Sequence, residues 1–341
     1  MFRRPWLCAL ALFLLTAGAP AQKDAAAKTP SVSDVRLLMT QGRMDDARRE
    51  LDALASLQPE PAGVERLRGI LEYENNRMAE AEASFARAIL QDPSDLESMQ
   101  MRGVALYRMG TPEEAIPLLE KAHAAGPIAN ADPNYVLGLC YISARRYDDA
   151  RHALARQYDF PPDSAAAWLV TARILLRQEL TAPAAAAAHQ AVQLDAHMPL
   201  AHRLLGEIDL ANGDVAGALG ELEKEVKVNP LDGETYDRMG DAYLRGGRFA
   251  LAQQVLDRAV LLEPNATGPY ILLGKTLLEE KDPVTATMYL ERAEKMDPSN
   301  PMTHMLLARA LAASGRKDDA NREFQALQKL QRAAAPASLN P

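Results

Sequence analysis

The chain is poor in the residues that most small exported folds and most catalytic centres depend on. Of its 341 residues only 2 are cysteine and 5% are aromatic, and no basic run that could neutralise phosphates stands along it. Too few thiols exclude a disulfide framework, so the stability must come from packing. Few aromatics beside abundant alanine and leucine favour closely packed helices over a β-sandwich. A net charge of −8 without a basic run excludes phosphate neutralisation, so no nucleic-acid partner is expected. An apolar fraction of 48% with 25% charged residues is that of a folded, soluble chain.

Long apolar runs are also missing. The strongest lies in "MFRRPWLCALALFLLTAGAPAQ", two arginines followed by an apolar stretch from Trp6 to Leu15 and then small residues. This run is well short of the roughly 18 residues that a membrane span needs. Ala19-Pro20-Ala21 fits a small-x-small cleavage rule, so residues 1–21 read as a secretory signal cut before Gln22. No cysteine stands at the cut for a lipid anchor, and Cys8 leaves with the signal, as do Arg3 and Arg4. The exported chain then holds 36 basic and 46 acidic residues, a net charge of −10, with Cys140 its one thiol. A secreted or periplasmic protein without stable membrane insertion is expected.

What is present is a phrase said three times: "RAILQDPSD" at 87–95, "RAVLLEPNA" at 258–266 and "RAEKMDPSN" at 292–300. Its prolines and their relatives are Pro59, Pro93, Pro127, Pro162, Pro230, Pro264 and Pro298, separated by 34, 34, 35, 68, 34 and 34 residues. The period is 34 with one extra residue, expected near 160, and Ala196 stands where the long gap lacks its proline. Twelve residues before each terminal position stands an alanine: Ala47, Ala81, Ala115, Ala150, Ala184, Ala218, Ala252 and Ala286. Twelve earlier again stand Gly69, Gly103, Gly138, Ala172, Gly206, Gly240 and Gly274. Small residues let two helices approach, a Gly-bearing turn such as "NGD" or "GGR" joins them, and proline closes the second helix. In "GTPEEA", Thr111 is expected to cap a helix that Pro112 begins and Glu114 supports; in "KDPVTA", Asp282 and Pro283 take the first two roles. Pro117, inside a second helix, is expected to kink or loosen it.

The unit "GETYDRMGDAYLRGGRFALAQQVLDRAVLLEP" resembles a tetratricopeptide repeat, with Tyr236, Gly240, Tyr243, Gly247, Ala252, Leu256, Ala259 and Pro264 at the signature positions. The resemblance covers about nine-tenths of the chain. It implies an all-α fold, a right-handed α-solenoid of stacked helix–turn–helix repeats with a 34-residue period. About nine repeats are expected over 28–332, after a leader at 22–27 and before a disordered tail at 333–341. The first unit is irregular, with Val35 at the small position, and the last is expected to be capped by the polar face of "KDDANREFQALQKLQR".

Residues for chemistry are scattered. His197 and His202 stand five apart rather than the three or four of a helical metal pair, and His202 and His304 fall at the repeat's aromatic packing position. Cys140 has no local base and reads as a small buried residue. The carboxylate pairs Asp148-Asp149 and Asp318-Asp319 open second helices, where they complement the dipole. No phosphate loop, serine elbow or metal set is found, so no enzyme, cofactor or metal is expected.

In this family the first helices line the concave face, where peptides and partner helices bind. Helical spacing of three, four and seven puts five positions of each first helix on that face. Arg36, Met39, Arg66, Tyr73, Gln100, Tyr107, Arg108 and Tyr135 come first along the chain. Arg173, Arg177, Arg203 and Glu207 follow, then Glu234, Asp237, Asp241, Arg245, Lys275, Glu279 and Arg309. A tyrosine-bearing stretch gives way to a basic centre and then an acidic band. Arginine and tyrosine are frequent binding anchors, which makes this face the expected partner site. The reading is a non-catalytic scaffold holding a protein or peptide partner, with an acidic segment opposite the basic centre, in the bacterial envelope. The alternative is a glycan-handling or polysaccharide-export accessory module, with Tyr73, Tyr107 and Tyr135 as stacking faces.

Overall fold

The computed structural model describes residues 31–124 and 133–334, and the chain divides after Ser98 into two compact units. Among the described residues every regular element is a helix, 18 in all. The signal and leader, Pro127 and residues 335–341 lie outside the described residues; Ala333 and Ala334 close the last helix.

The first unit holds α1 (Val32–Thr40), α2 (Met44–Ala55), α3 (Val64–Glu74) and α4 (Met78–Gln91). Ser31 caps α1, its hydroxyl accepting the Asp34 N–H at 3.2 Å. Val35, Leu38, Leu51, Leu54, Leu67 and Leu71 form its apolar core. Val35 is fully buried, so the irregular first unit still packs.

The second unit carries α5 (Leu96–Arg108, starting at the end of the first unit), α6 (Pro112–Ala124), α7 (Asn134–Ser143), α8 (Tyr147–Gln157), α9 (Ala165–Arg177) and α10 (Thr181–Leu194). It continues with α11 (Ala201–Asn212), α12 (Val215–Val228), α13 (Gly233–Arg245), α14 (Phe249–Leu262), α15 (Thr267–Glu279), α16 (Pro283–Met296), α17 (Pro301–Ala313) and α18 (Lys317–Ala334). From α6 on each helix packs on its successor, and the first helices α9, α11, α13, α15 and α17 also touch in sequence. This is an α-solenoid of stacked hairpins, with the odd-numbered helices sharing one side.

Two different demands place glycine in each hairpin. At the helix crossing the demand is volume: a Cβ on Gly206 would stand 2.7 Å from Leu222 Cγ. Where the crossing residue is Ala172, the opposed residue is Ala188 instead of leucine, which restores the room. At the turn the demand is dihedral. Gly42, Asn76, Gly110, Arg145, Glu179, Gly213, Gly247, Lys281 and Gly315 all have positive φ. They recur at the repeat period, and a Cβ at Gly247 would meet nothing within 4 Å.

The shift of phase is complete by Gly138, so the extra residue lies between Pro127 and Gly138, not near 160. Helix α6 runs on through Pro117. Asp282 caps α16 as expected, accepting the Thr285 N–H at 3.1 Å. Thr111 instead turns its hydroxyl back to donate to the Leu106 carbonyl at 3.2 Å.

The repeated phrase resolves into a turn with its own hydrogen bonds. Asp92 accepts the N–H and hydroxyl of Ser94 at 2.9 and 2.6 Å, and Asp297 does the same with Ser299 at 3.0 and 2.7 Å. Those bonds hold both carboxyls below the usual range. Where the packing residue six positions on is tyrosine or histidine, it takes the carbonyl of the phrase's proline. Tyr236 donates to Pro230 O at 3.2 Å, Tyr270 to Pro264 O at 3.2 Å, and His304 Nε2 bonds Pro298 O at 2.9 Å.

Candidate partner-binding face

The expected face residues occupy three kinds of place. Arg108, Arg173, Arg177, Arg245 and Arg309 are exposed, and Tyr73, Tyr107, Tyr135, Glu207, Asp241 and Lys275 are half-buried. Tyr107 and Tyr135 pack against the core, and burial pushes the Tyr107 phenol above its usual range. Their rings are therefore partly spent on packing. Arg203 and Asp237 are buried, at 5% and 9% exposure.

In the first unit Arg36 reaches Glu97 at 3.0 Å. Arg66 lies 3.1 Å from Asp95 and 3.4 Å from Glu97. Asp95 also caps the start of α5, accepting the Ser98 N–H at 3.1 Å and its hydroxyl at 2.7 Å. An arginine on one first helix is thus latched to the cap and the second residue of the next.

The second unit repeats this latch at its middle. Arg203 Nη1 lies 3.0 Å from Asp232 and 2.7 Å from Glu234, and Nε lies 3.7 Å from Glu207. Asp232 is further bonded to the Thr235 hydroxyl. The expectation that Arg203 is an open anchor for an acidic segment is therefore corrected: the chain's own acids surround it. Spacing along one helix could show only Glu207, because Asp232 and Glu234 belong to the following repeat, 29 and 31 residues on.

Beside it stands Arg238, which the positional reading omitted because it lies one step off the chosen face. It joins Glu207 at 3.3 Å, Glu234 at 3.1 Å and Asp237 at 3.2 Å. Arg245 holds Asp241 at 2.7 Å and donates to Leu210 O at 3.1 Å. Arg309 stands 3.9 Å from Glu279. The acidic band is thus largely paired internally. Asp237 is paired through Oδ2 alone: its Oδ1 is buried without a hydrogen-bond partner among the described residues. Burial, only partly opposed by Arg238 and reinforced by Asp241, Glu234 and Glu263, pushes its carboxyl up to about 6.

Two further polar residues were not foreseen. Glu225 and Gln157 replace the small residue seven positions after the second-helix alanine, where most repeats have alanine again. Glu225 is fully buried and accepts the N–H groups of Leu200 and Arg203 at 2.8 and 3.3 Å. Gln157 accepts the Tyr135 N–H at 3.0 Å. Leu200 and Pro133 offer α11 and α7 no side-chain cap, so the second helix supplies one from across the hairpin.

Among the described residues Glu294, His304 and Glu323 bring potential ligand atoms within 4.8 Å of one another. His304 has both ring nitrogens engaged, Nε2 with the Pro298 carbonyl and Nδ1 with Glu323 at 2.7 Å. Burial opposes charge on the ring, but those two acceptors and Glu294 outweigh it and raise its pKa. The group is geometrically an ion pair within the last hairpins. Cys140 is buried, and burial pushes its thiol up to about 12, far from a reactive thiolate. No helix among the described residues is long and apolar enough to cross a membrane.

Stacked 34-residue helical hairpins with an outward-varying first-helix side define a repeat protein of the interaction class. The chain belongs to the tetratricopeptide-repeat family, whose models match residues 35–95, 66–130, 172–232 and 238–301, and, for a second model, 106–174 and 277–339. This is generally a non-catalytic fold used for protein interaction. No curated protein sequence matches the chain. Among solved structures it is similar to MamA 41-end from Desulfovibrio magneticus RS-1, at 20% identity and TM-score 0.47, over 51% of this chain and 98% of that one. YrrB, described as a protein of this family with an unusual peptide-binding site, matches at 18% identity and TM-score 0.45, over 55% and 95% of the two chains. The Cut9–Hcn1 hetero-tetramer of the APC/C matches at 16% identity and TM-score 0.46, over 81% of this chain and 54% of that one.

Proposed function

We propose that the protein is an exported scaffold that holds an extended segment of a partner protein along its first-helix face, in the bacterial envelope. The observation that carries this is a contrast within each hairpin. Packing positions repeat from unit to unit, whereas the outward positions of the first helices change from tyrosine to arginine to acid. A solenoid needs only the former to stand. Arg173 and Arg177, both exposed on α9, are the groups offered to an acidic stretch of the partner, in place of the internally paired Arg203. The packed rings of Tyr107 and Tyr135 make a protein segment a better fit than a stacked glycan. The signal-like N-terminus supports export.

The test is site-specific photocrosslinking from Arg173 and Arg309 in native envelopes, with N-terminal sequencing of the recovered chain. A common partner crosslinked at both positions, with the Arg309 crosslink lost on Arg173→Glu plus Arg177→Glu, is the expected result. Absence of any partner at both positions overturns the scaffold reading, and a chain starting at Met1 overturns signal cleavage.

A further inference from the structure

The arginine latch offers a reference against which one place in the second unit stands out. At two points along the chain it has the same three parts. They are an arginine on a first helix, an aspartate capping the next first helix, and a glutamate two residues beyond that cap. Arg66, Asp95 and Glu97 form one set, and Arg203, Asp232 and Glu234 the other. One repeat after the second set, all three parts change together. The arginine position holds Asp237, the cap position holds Ala266, and the glutamate position holds Gly268.

The exchange reverses the charge and removes the acidic side chains of the cap and of the second residue beyond it. Both Asp237 carboxylate oxygens lie 3.5 Å from where a Gly268 side chain would begin, and Gly268 is exposed. Ala266 offers α15 no side-chain cap, and among the described residues no hydrogen bond from that helix reaches Asp237 Oδ1. A capping role for Asp237 is thus not realised. Its one ion pair, to Arg238 through Oδ2 at 3.2 Å, is shared with Glu207 and Glu234, which take the same guanidinium. A buried carboxylate that shares its guanidinium with two other acids, and that faces a glycine where the latch has an acid, is under-compensated.

Resting on the groove reading above, we infer that Asp237 and the exposed, side-chain-free backbone at Gly268 form a receptor for a lysine or arginine side chain of the bound segment. The incoming cation takes the place that the latch arginine fills from within the chain elsewhere, with the polarity inverted. Asp241, half-buried one turn further along α13, adds negative potential to the same side of that helix. With Arg173 and Arg177 facing an acidic stretch, the segment carries both signs, and its direction along the face is set by their order.

Selection of a displayed random dodecapeptide library on the full chain, on Asp237→Asn and on Gly268→Lys tests this. Wild type is expected to enrich peptides with lysine or arginine at one fixed position. Both variants should still enrich peptides but lose that preference. Synthetic copies of the winning wild-type peptides should bind Asp237→Asn on the order of tenfold more weakly by fluorescence anisotropy. Enrichment without a basic position in wild type, or the same basic preference in both variants, overturns the receptor and leaves the groove standing. Failure to enrich any peptide on any of the three chains overturns both.

Discussion

Asp237 shows how much of a site can hide in one side chain. The sequence places it on the outward face of a first helix, but its orphaned oxygen and its pKa of about 6 follow from burial in the stack and from the charges around it, Arg238 first. The sign of its effect on stability follows from that value. The folded-state pKa is above the ordinary 3.8, so the folded chain holds this proton more tightly than the unfolded chain does. Its contribution to stability is greatest below 3.8 and is lost as pH rises through 6. Asp237→Asn should therefore stabilise the protein at pH 7.5, by up to about 3 kcal/mol, and by roughly half that at pH 5. Urea unfolding at the two pH values measures this. An Asn variant no more stable than wild type at pH 7.5 would show that the carboxylate is compensated after all. Arg203 teaches the same lesson in reverse. Its charge was legible from the sequence, but its availability was not, because Asp232 and Glu234 reach it only once the hairpins stack.

At the scale of the helix and turn, the sequence is far more transparent. Period, helix pairs, the crossing glycines and the buried alanines all follow from local rules that each repeat states for itself. Every alanine from Ala47 to Ala286 at the second-helix position is fully buried. Less legible is that the left-handed turn conformation is kept even where glycine is not. Arg145, Glu179 and Lys281 adopt φ of 58°, 60° and 64°. A side chain in that region costs roughly 1–2 kcal/mol. Glycine relieves this but loses about 0.5–1 kcal/mol through the freedom of the unfolded chain. Lys281→Gly should therefore raise stability by about 0.5–1 kcal/mol, seen as a higher urea midpoint at unchanged slope. Gly247→Ala, at φ 67°, should lower it by at least as much. A neutral or harmful Lys281→Gly would mean that the lysine side chain, not the backbone, secures that turn.

Across the second unit as a whole, stability should be local rather than shared, because its contacts are nearly all between helices close in sequence. Its apolar residues fall into three clusters that meet within α11, between Ile208 and Leu210, and within α15, between Leu273 and Leu277. A helix at such a junction is anchored on both sides, while a leucine at the centre of one cluster serves only its own neighbours. Leu256 is such a residue, fully buried on α14 and pressed into the crossing that Gly240 leaves open. Leu256→Ala removes that contact and leaves a cavity, at a cost of about 2–5 kcal/mol. In a stack with nearest-neighbour coupling this loss is confined to the hairpins that touch the defect. Hydrogen exchange followed by mass spectrometry should show amides of α13–α16 exchanging faster, with α7–α10 close to wild type. Equal acceleration along all these helices would mean that the unit unfolds as a single cooperative body. The confined pattern is also what a partner-binding face requires. Bound chain spanning several first helices would then couple hairpins that the solenoid by itself leaves only weakly joined, and protection would spread beyond the residues it touches.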